Sequence, residues 1–110
     1  MWNHESALRL VQEIEAICPQ YGCHVGLTGG CLYKDGDRKD CDIILYRIRQ
    51  TPTINLKGLF EALKPLAIDV VGGFGWCYKA THPIGPIDIL IPEEKLVVSE
   101  SKPTVVHTYQ

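Results

Sequence analysis

The stretch Leu27-Thr28-Gly29-Gly30, followed after nine residues by Asp40-Cys41-Asp42-Ile43-Ile44-Leu45-Tyr46, decides how this chain is expected to fold. The second segment is apolar and rich in isoleucine, which predicts a central β-strand over residues 41–48. Successive side chains of a strand point to opposite faces, so Asp40 and Asp42 share one face while the residues that alternate with them face a core. The pattern therefore predicts a buried strand that carries two carboxylates next to a glycine turn.

The segments around this stretch alternate between helical and strand patterns. Apolar residues recur at helical spacing over residues 4–18, and again from the capping residue Asn55 up to Pro65. Four further segments have strand patterns, namely residues 23–28, 66–71, 75–81 and 87–91. Gly72-Gly73 is predicted as the turn of a hairpin between the second and third of them. This order predicts an α+β (α/β) fold with a mixed β-sheet of about four or five strands and helices mainly on one face.

Length and composition fit one small domain. The chain has 110 residues, of which 45% are apolar, and this is enough for a single core. We expect residues 1–98 to form one minimal domain and residues 99–110 to be a disordered C-terminal tail. The formal net charge of -2 disfavours tight, sequence-independent binding to nucleic acid, which needs a clustered basic surface.

The cysteines and the N-terminal segment predict a cytoplasmic protein. The five cysteines are an odd number, and no signal-peptide pattern opens the sequence, which favours reduced thiols in the cytosol. No apolar run is long enough to cross a bilayer, so no membrane association is expected.

The carboxylates of Asp40 and Asp42 are candidates for binding a divalent cation. An ionised side chain at the start of an apolar strand costs free energy unless it is solvated or neutralised, and two like charges on one face repel each other. A hard cation relieves both effects and prefers carboxylate ligands. Asp88 or Asp69 would be a third ligand. Asp88 is favoured because it lies in the middle of the apolar segment Pro86-Ile87-Asp88-Ile89-Leu90-Ile91-Pro92, whereas Asp69 lies near a hairpin end, where an edge strand exposes charge harmlessly.

The turn Thr28-Gly29-Gly30 is a candidate for binding phosphate. A backbone without Cβ lets N–H groups approach phosphate oxygens closely, and a helical turn that begins at residue 30 or 31 adds partial positive charge. Arg38 and Lys39 are adjacent to the acidic pair and add side-chain cations. Lys34 and Lys79 are further basic residues near these segments, for which a solvated surface position is the alternative interpretation.

Two parts of the sequence resemble a known family. The run Leu27-Thr28-Gly29-Gly30 and, nine residues later, Asp40-Cys41-Asp42-Ile43-Ile44 resemble the signature of the DNA polymerase β-like nucleotidyltransferase superfamily. In that signature an apolar residue, Gly, and Gly or Ser precede Asp-apolar-Asp/Glu by roughly nine to thirteen residues. The Asp88 segment is similar to the later strand that carries the family's third carboxylate. The resemblance spans residues 23–92 and implies a minimal, single-domain member with the family's fold.

The resemblance also implies an activity and a set of site residues. It implies a Mg²⁺- or Mn²⁺-dependent nucleotidyltransferase that transfers a nucleoside monophosphate from a nucleoside triphosphate to a hydroxyl acceptor by a two-metal-ion mechanism. The catalytic and metal-binding residues would be Asp40, Asp42 and Asp88. The nucleotide-binding residues would be Thr28, Gly29, Gly30, Arg38 and Lys39.

We expect no second domain in this chain, and this expectation leads to an alternative function. Family members usually carry a second, often helical, domain that holds the base and the acceptor, and 110 residues leave no room for one. The alternative is a non-catalytic or antitoxin-like subunit of the same fold that acts by binding a protein partner. The expected partners are therefore a nucleoside triphosphate and either a helical protein or a second copy of the chain, whereas the net charge disfavours a nucleic-acid acceptor.

Overall fold

The computed structural model describes residues 1–98, without the side chains of Phe74 and Leu96, and in this range three α-helices and seven β-strands form. The helices are α1 (His4–Glu15), α2 (Gly30–Tyr33) and α3 (Leu56–Ala62). The strands are β1 (Cys23–Thr28), β2 (Cys41–Arg47), β3 (Ile54–Asn55), β4 (Asp69–Phe74), β5 (Cys77–Thr81), β6 (Ile87–Leu90) and β7 (Val97–Val98). Short 3₁₀ helices cover Cys18–Tyr21, Lys64–Leu66 and Glu94–Leu96. The tail predicted over residues 99–110 lies outside the described range.

Five of the strands form a mixed sheet in the order β1-β2-β6-β5-β4. Neighbouring strands of this sheet are antiparallel except for β2 and β6, which are parallel. The two short strands β3 and β7 form a separate parallel pair. This arrangement confirms the predicted α+β fold with a mixed sheet. It also makes β2, the strand of the opening stretch, a direct neighbour of the strand that carries Asp88.

The hydrophobic core lies on one face of the sheet. Cys41, Ile43 and Leu45 of β2 are at most 1% exposed, as the alternation along this strand predicts. Helix α1 covers the same face and adds four buried residues to the core, namely Ala7, Leu10, Val11 and Ile14. Because β2 and β6 bury every second residue against this core, Asp42 and Asp88 point to the opposite face, which we call the open face.

Helix α1 begins with the capping box that Asn3 and Ser6 form. The backbone N–H of Ser6 donates to Oδ1 of Asn3 at 2.8 Å, and the backbone N–H of Asn3 donates to Oγ of Ser6 at 3.0 Å. The helix ends at Glu15, earlier than predicted, and a 3₁₀ helix with Pro19 in its first turn follows. No helix within residues 1–98 is long and apolar enough to cross a membrane.

The predicted hairpin of β4 and β5 forms, but the start of β4 and the position of the turn differ from the prediction. The chain forms a 3₁₀ helix over Lys64–Leu66, so β4 begins at Asp69 rather than at residue 66. Gly72 and Gly73 lie inside β4 instead of forming the turn, and the register of β4 against β5 shifts just before Gly72. The turn itself is at residues 75–76. A glycine pair inside a strand tolerates such a bulge, and a turn cannot be distinguished from a bulge by composition alone.

Candidate active site

Asp42 and Asp88 lie side by side on the open face of the sheet. Their strands, β2 and β6, are parallel neighbours that pair the two residues in register, so both side chains project from the same face. Burial is the largest cause that raises the pKa of the Asp42 carboxyl. The negative charge of Asp88 and the hydrogen bond with Asp88 raise this pKa as well, and so does the charge of Asp40. Two carboxyl groups in such contact favour either a retained proton or a bound cation.

The glycine turn closes against Asp42. Thr28, the last residue of β1, pairs with Asp42 across the β1–β2 ladder. Gly29 follows with φ of 69°, in the left-handed region that favours glycine. A Cβ on Gly29 would overlap with Oδ2 of Asp42. The turn therefore approaches the carboxylate as closely as it does because residue 29 has no side chain.

Arg38 lies against the second glycine of this turn. A Cβ on Gly30 would be 3.2 Å from Cδ of Arg38, so the arginine side chain packs directly on the backbone of α2's first residue. Nε of Arg38 is buried and has no hydrogen-bond partner among the described residues. A buried, unpaired N–H group of this kind costs roughly 1–3 kcal/mol. An anion bound at the turn would supply the missing acceptor.

Trp2 fixes the loops that precede the two acidic strands. Its backbone N–H donates to the carbonyl oxygen of Arg38 at 2.8 Å, and the Arg38 N–H donates back to the carbonyl oxygen of Trp2 at 2.6 Å. Its indole Nε1–H donates to the carbonyl oxygen of Pro86 at 2.9 Å, and the side chain is fully buried. Trp2 thus joins the loop before β2 to the loop before β6. Its place near the site did not follow from the sequence, where a large apolar residue among polar ones was the only signal.

Lys79 on β5 forms an ion pair with Asp88. The strands β5 and β6 pair the two residues in register, and Nζ of Lys79 donates to Oδ1 of Asp88 at 2.8 Å. The hydrogen bond with Asp88 and its charge raise the pKa of Lys79, and Lys79 in turn lowers the pKa of Asp42. Asp88 therefore has a cationic partner within the chain. In the sequence, Lys79 is only one of several basic residues near the predicted site.

The other predicted site residues next to β2 are exposed. Asp40 lies directly before the first residue of β2, and its charge contributes to the raised pKa of Asp42. Within residues 1–98, no group of three or more His, Cys, Asp or Glu side chains is arranged to hold a metal ion. Lys39 is also exposed. The structure thus brings Asp42 and Asp88 together and leaves Asp40 as a nearby charge.

Asp69, the alternative third ligand, lies at the far edge of the sheet. It begins β4, which is separated from β2 by β6 and β5. There it lines a groove of about 480 Å³ between α3 and the β4–β5 hairpin. The carboxylate next to Asp42 is that of Asp88, which the surrounding apolar segment favours over Asp69 as the third ligand.

The two carboxylates of Asp42 and Asp88 are suitable ligands for a divalent cation, but Lys79 already binds one oxygen of Asp88. Carboxylate oxygens are the ligands of hard cations, and the burial and mutual repulsion that raise the pKa of Asp42 are relieved by positive charge. However, a cation that contacts both carboxylates would compete with the Lys79 ammonium group for Asp88.

The glycine turn and the acidic pair carry the resemblance to the polymerase β-like superfamily, which stays a prediction about this chain. Comparison of the sequence with models of known protein families gives no match, and comparison with curated proteins gives none either.

Proposed function

We propose that this protein is a nucleotidyltransferase that transfers a nucleoside monophosphate from a nucleoside triphosphate to a hydroxyl acceptor. The observation that carries the proposal is the meeting of three features at one point of the open face. Asp42 and Asp88 are paired in register, and Gly29 approaches Asp42 so closely that an added Cβ would overlap with the Asp42 carboxylate. Two carboxylates for a metal and a glycine turn for a polyphosphate are what this reaction requires.

Each group has a role in the proposed reaction. Asp42 and Asp88 would hold Mg²⁺ or Mn²⁺, which when bound neutralises charge on the attacking and leaving oxygens. The backbone of the Gly29-Gly30 turn would bind the phosphates, and the unpaired Nε–H of Arg38 would donate to them. The carboxylate of Asp88 would also accept the proton of the acceptor hydroxyl, whose oxygen forms a bond to the α-phosphorus while the bond from that phosphorus to pyrophosphate breaks and pyrophosphate leaves. Little covalent work is asked of the protein, because positioning and electrostatics supply most of the catalysis.

Transfer of label from a nucleotide tests the proposal. The full chain is incubated with labelled ATP, CTP, GTP or UTP and Mg²⁺ or Mn²⁺ in cell extract, which supplies the acceptor. We expect a labelled product with the wild type and with Asp69→Asn, whose carboxylate lies at the far edge of the sheet. Asp42→Asn should lower the yield at least about 100-fold while the far-UV circular dichroism spectrum stays unchanged. Undiminished transfer by Asp42→Asn would refute the assignment.

A second candidate is the non-catalytic, antitoxin-like subunit that binds a protein partner. The observation that favours it is the Lys79–Asp88 ion pair, which neutralises Asp88 without any metal. For such a protein, the labelled-nucleotide assay gives no product with the wild type. For the same protein, Mn²⁺ should leave the thermal unfolding midpoint unchanged, because an ion that does not bind the folded state cannot stabilise that state.

A further inference from the structure

We propose that Lys79 is a built-in countercation of the acidic pair, which a divalent cation must displace from Asp88 in order to bind both carboxylates. This inference rests on the proposed function, since it concerns the same metal site. It assigns to Lys79 the role of setting how tightly that site binds metal.

The sheet itself places Lys79 on the acidic pair. Asp88 has Asp42 as its register partner on one side, on β2, and Lys79 on the other, on β5. The three side chains therefore form a row across three adjacent strands of the open face, at the strand spacing of about 4.8 Å. The contact of 2.8 Å between Nζ of Lys79 and Oδ1 of Asp88 follows from this row.

The exposure of the two partners allows the ammonium group to leave. The side chain of Lys79 is 62% exposed, whereas that of Asp88 is 21% exposed. The lysine can move into solvent by rotating its own flexible stem, while the carboxylate stays fixed on β6. A salt bridge with one such exposed partner is weak, so a divalent cation with a second ligand in Asp42 can replace it.

The electrostatics make metal and ammonium competitors. A divalent cation bound to both carboxylates would lie within a few ångströms of Nζ, and the two positive charges would repel each other at that distance. Arg38, another cation of this region, packs on Gly30 and is not ion-paired with Asp88 in the described structure. Removal of the Lys79 charge should therefore strengthen metal binding at this pair.

The test is the affinity of the full chain for Mn²⁺, measured by the electron paramagnetic resonance signal of free Mn²⁺ during titration. We expect Lys79→Met to bind Mn²⁺ about tenfold more tightly than the wild type at low salt, with a smaller difference at about 1 M salt because the charges are screened. Lys64→Met is the matched control. It removes an exposed lysine whose Nζ lies 3.0 Å from Oε2 of Glu61, away from the acidic pair, and should leave the affinity unchanged.

The possible outcomes separate this inference from the proposed function. Equal or weaker Mn²⁺ binding by Lys79→Met, with binding by the wild type, overturns the role of Lys79 and leaves the metal site standing. No binding by either protein at millimolar Mn²⁺ overturns both. Asp42→Asn in the Lys79→Met background should abolish the gain, which places the bound ion at this pair. Lys79→Gln removes the same charge and serves if Lys79→Met does not fold.

Discussion

At the scale of single residues, Gly29 determines how closely the glycine turn can approach Asp42. Gly29→Ala should cost about 1–3 kcal/mol of unfolding free energy from the backbone alone, because φ of 69° with ψ of -155° is a conformation essentially restricted to glycine. The overlap of its Cβ with Oδ2 of Asp42 should add to this cost. Gly36→Ala is the matched control, because Gly36 has φ of 88° but no atom within 4 Å of an added Cβ. Urea denaturation measures both. Equal losses in the two variants would contradict the close approach at Asp42.

Asp42 also makes the stability of the protein depend on pH. Burial and the charge of Asp88 raise the pKa of Asp42, so the folded state holds this proton more tightly than the unfolded chain does. As the pH rises from the ordinary aspartate pKa to the raised one, the unfolded chain loses the proton first and stability falls. The ionised group therefore costs stability at neutral pH, and this cost disappears in acid.

Asp42→Asn removes that cost. At pH 7 in EDTA, we expect this substitution to raise the unfolding free energy by up to about 1 kcal/mol, which is the scale of a cross-strand pair. At about pH 3, which is below the ordinary aspartate pKa, we expect no gain. Urea denaturation at the two pH values measures the difference, with Asp69→Asn as the control that should show no gain. Destabilisation of Asp42→Asn at pH 7 would mean that the carboxylate is held by favourable contacts.

At the scale of elements, Trp2 is expected to hold the loops before β2 and β6. Trp2→Phe removes the hydrogen bond from Nε1–H to the Pro86 carbonyl oxygen. This oxygen still accepts a hydrogen bond from the Cys41 N–H at 3.0 Å, so the substitution should cost only about 1 kcal/mol of unfolding free energy. Trp2→Ala leaves a cavity and should cost about 3–5 kcal/mol. Urea denaturation measures these losses. Faster hydrogen exchange at the Arg38 amide should accompany them.

An exposed residue of α1 provides the control for Trp2. Leu8 is 40% exposed, and Leu8→Ala should change stability by less than about 0.5 kcal/mol. A cost of Trp2→Ala no larger than that of Leu8→Ala would show that the N-terminal segment does not support these loops.

The elements also show which local patterns could be predicted. The strand β2 and the cap of α3 at Asn55 followed from the sequence, because alternation and a capping side chain are local signals. The β4–β5 hairpin also followed from the sequence, but its turn was predicted at the wrong place, because Gly72-Gly73 is compatible with a bulge as well as with a turn. Local signals therefore predicted the positions of strands more accurately than the positions of turns.

At the scale of the whole molecule, the site depends on which strands become neighbours. The apolar flanks of Asp88 favoured a central strand, but its pairing in register with Asp42 required the parallel contact of β2 and β6. The ion pair with Lys79 required the register of β5 as well. Such long-range pairings have no local signal in one sequence, so the carboxylates could be predicted and their cationic partner could not. The exposed position of Asp40 likewise depends on where β2 begins.

Anomalous diffraction can test whether Asp42 and Asp88 form the proposed divalent-cation site beside the glycine turn. Crystals of the full chain are grown with Mn²⁺ and a non-hydrolysable nucleoside triphosphate. We expect an anomalous peak about 2.1 Å from carboxylate oxygens of both residues, with the triphosphate at Gly29-Gly30. A protein crystal with saturating Mn²⁺ that shows its peaks only elsewhere, or none at this pair, would contradict the claim.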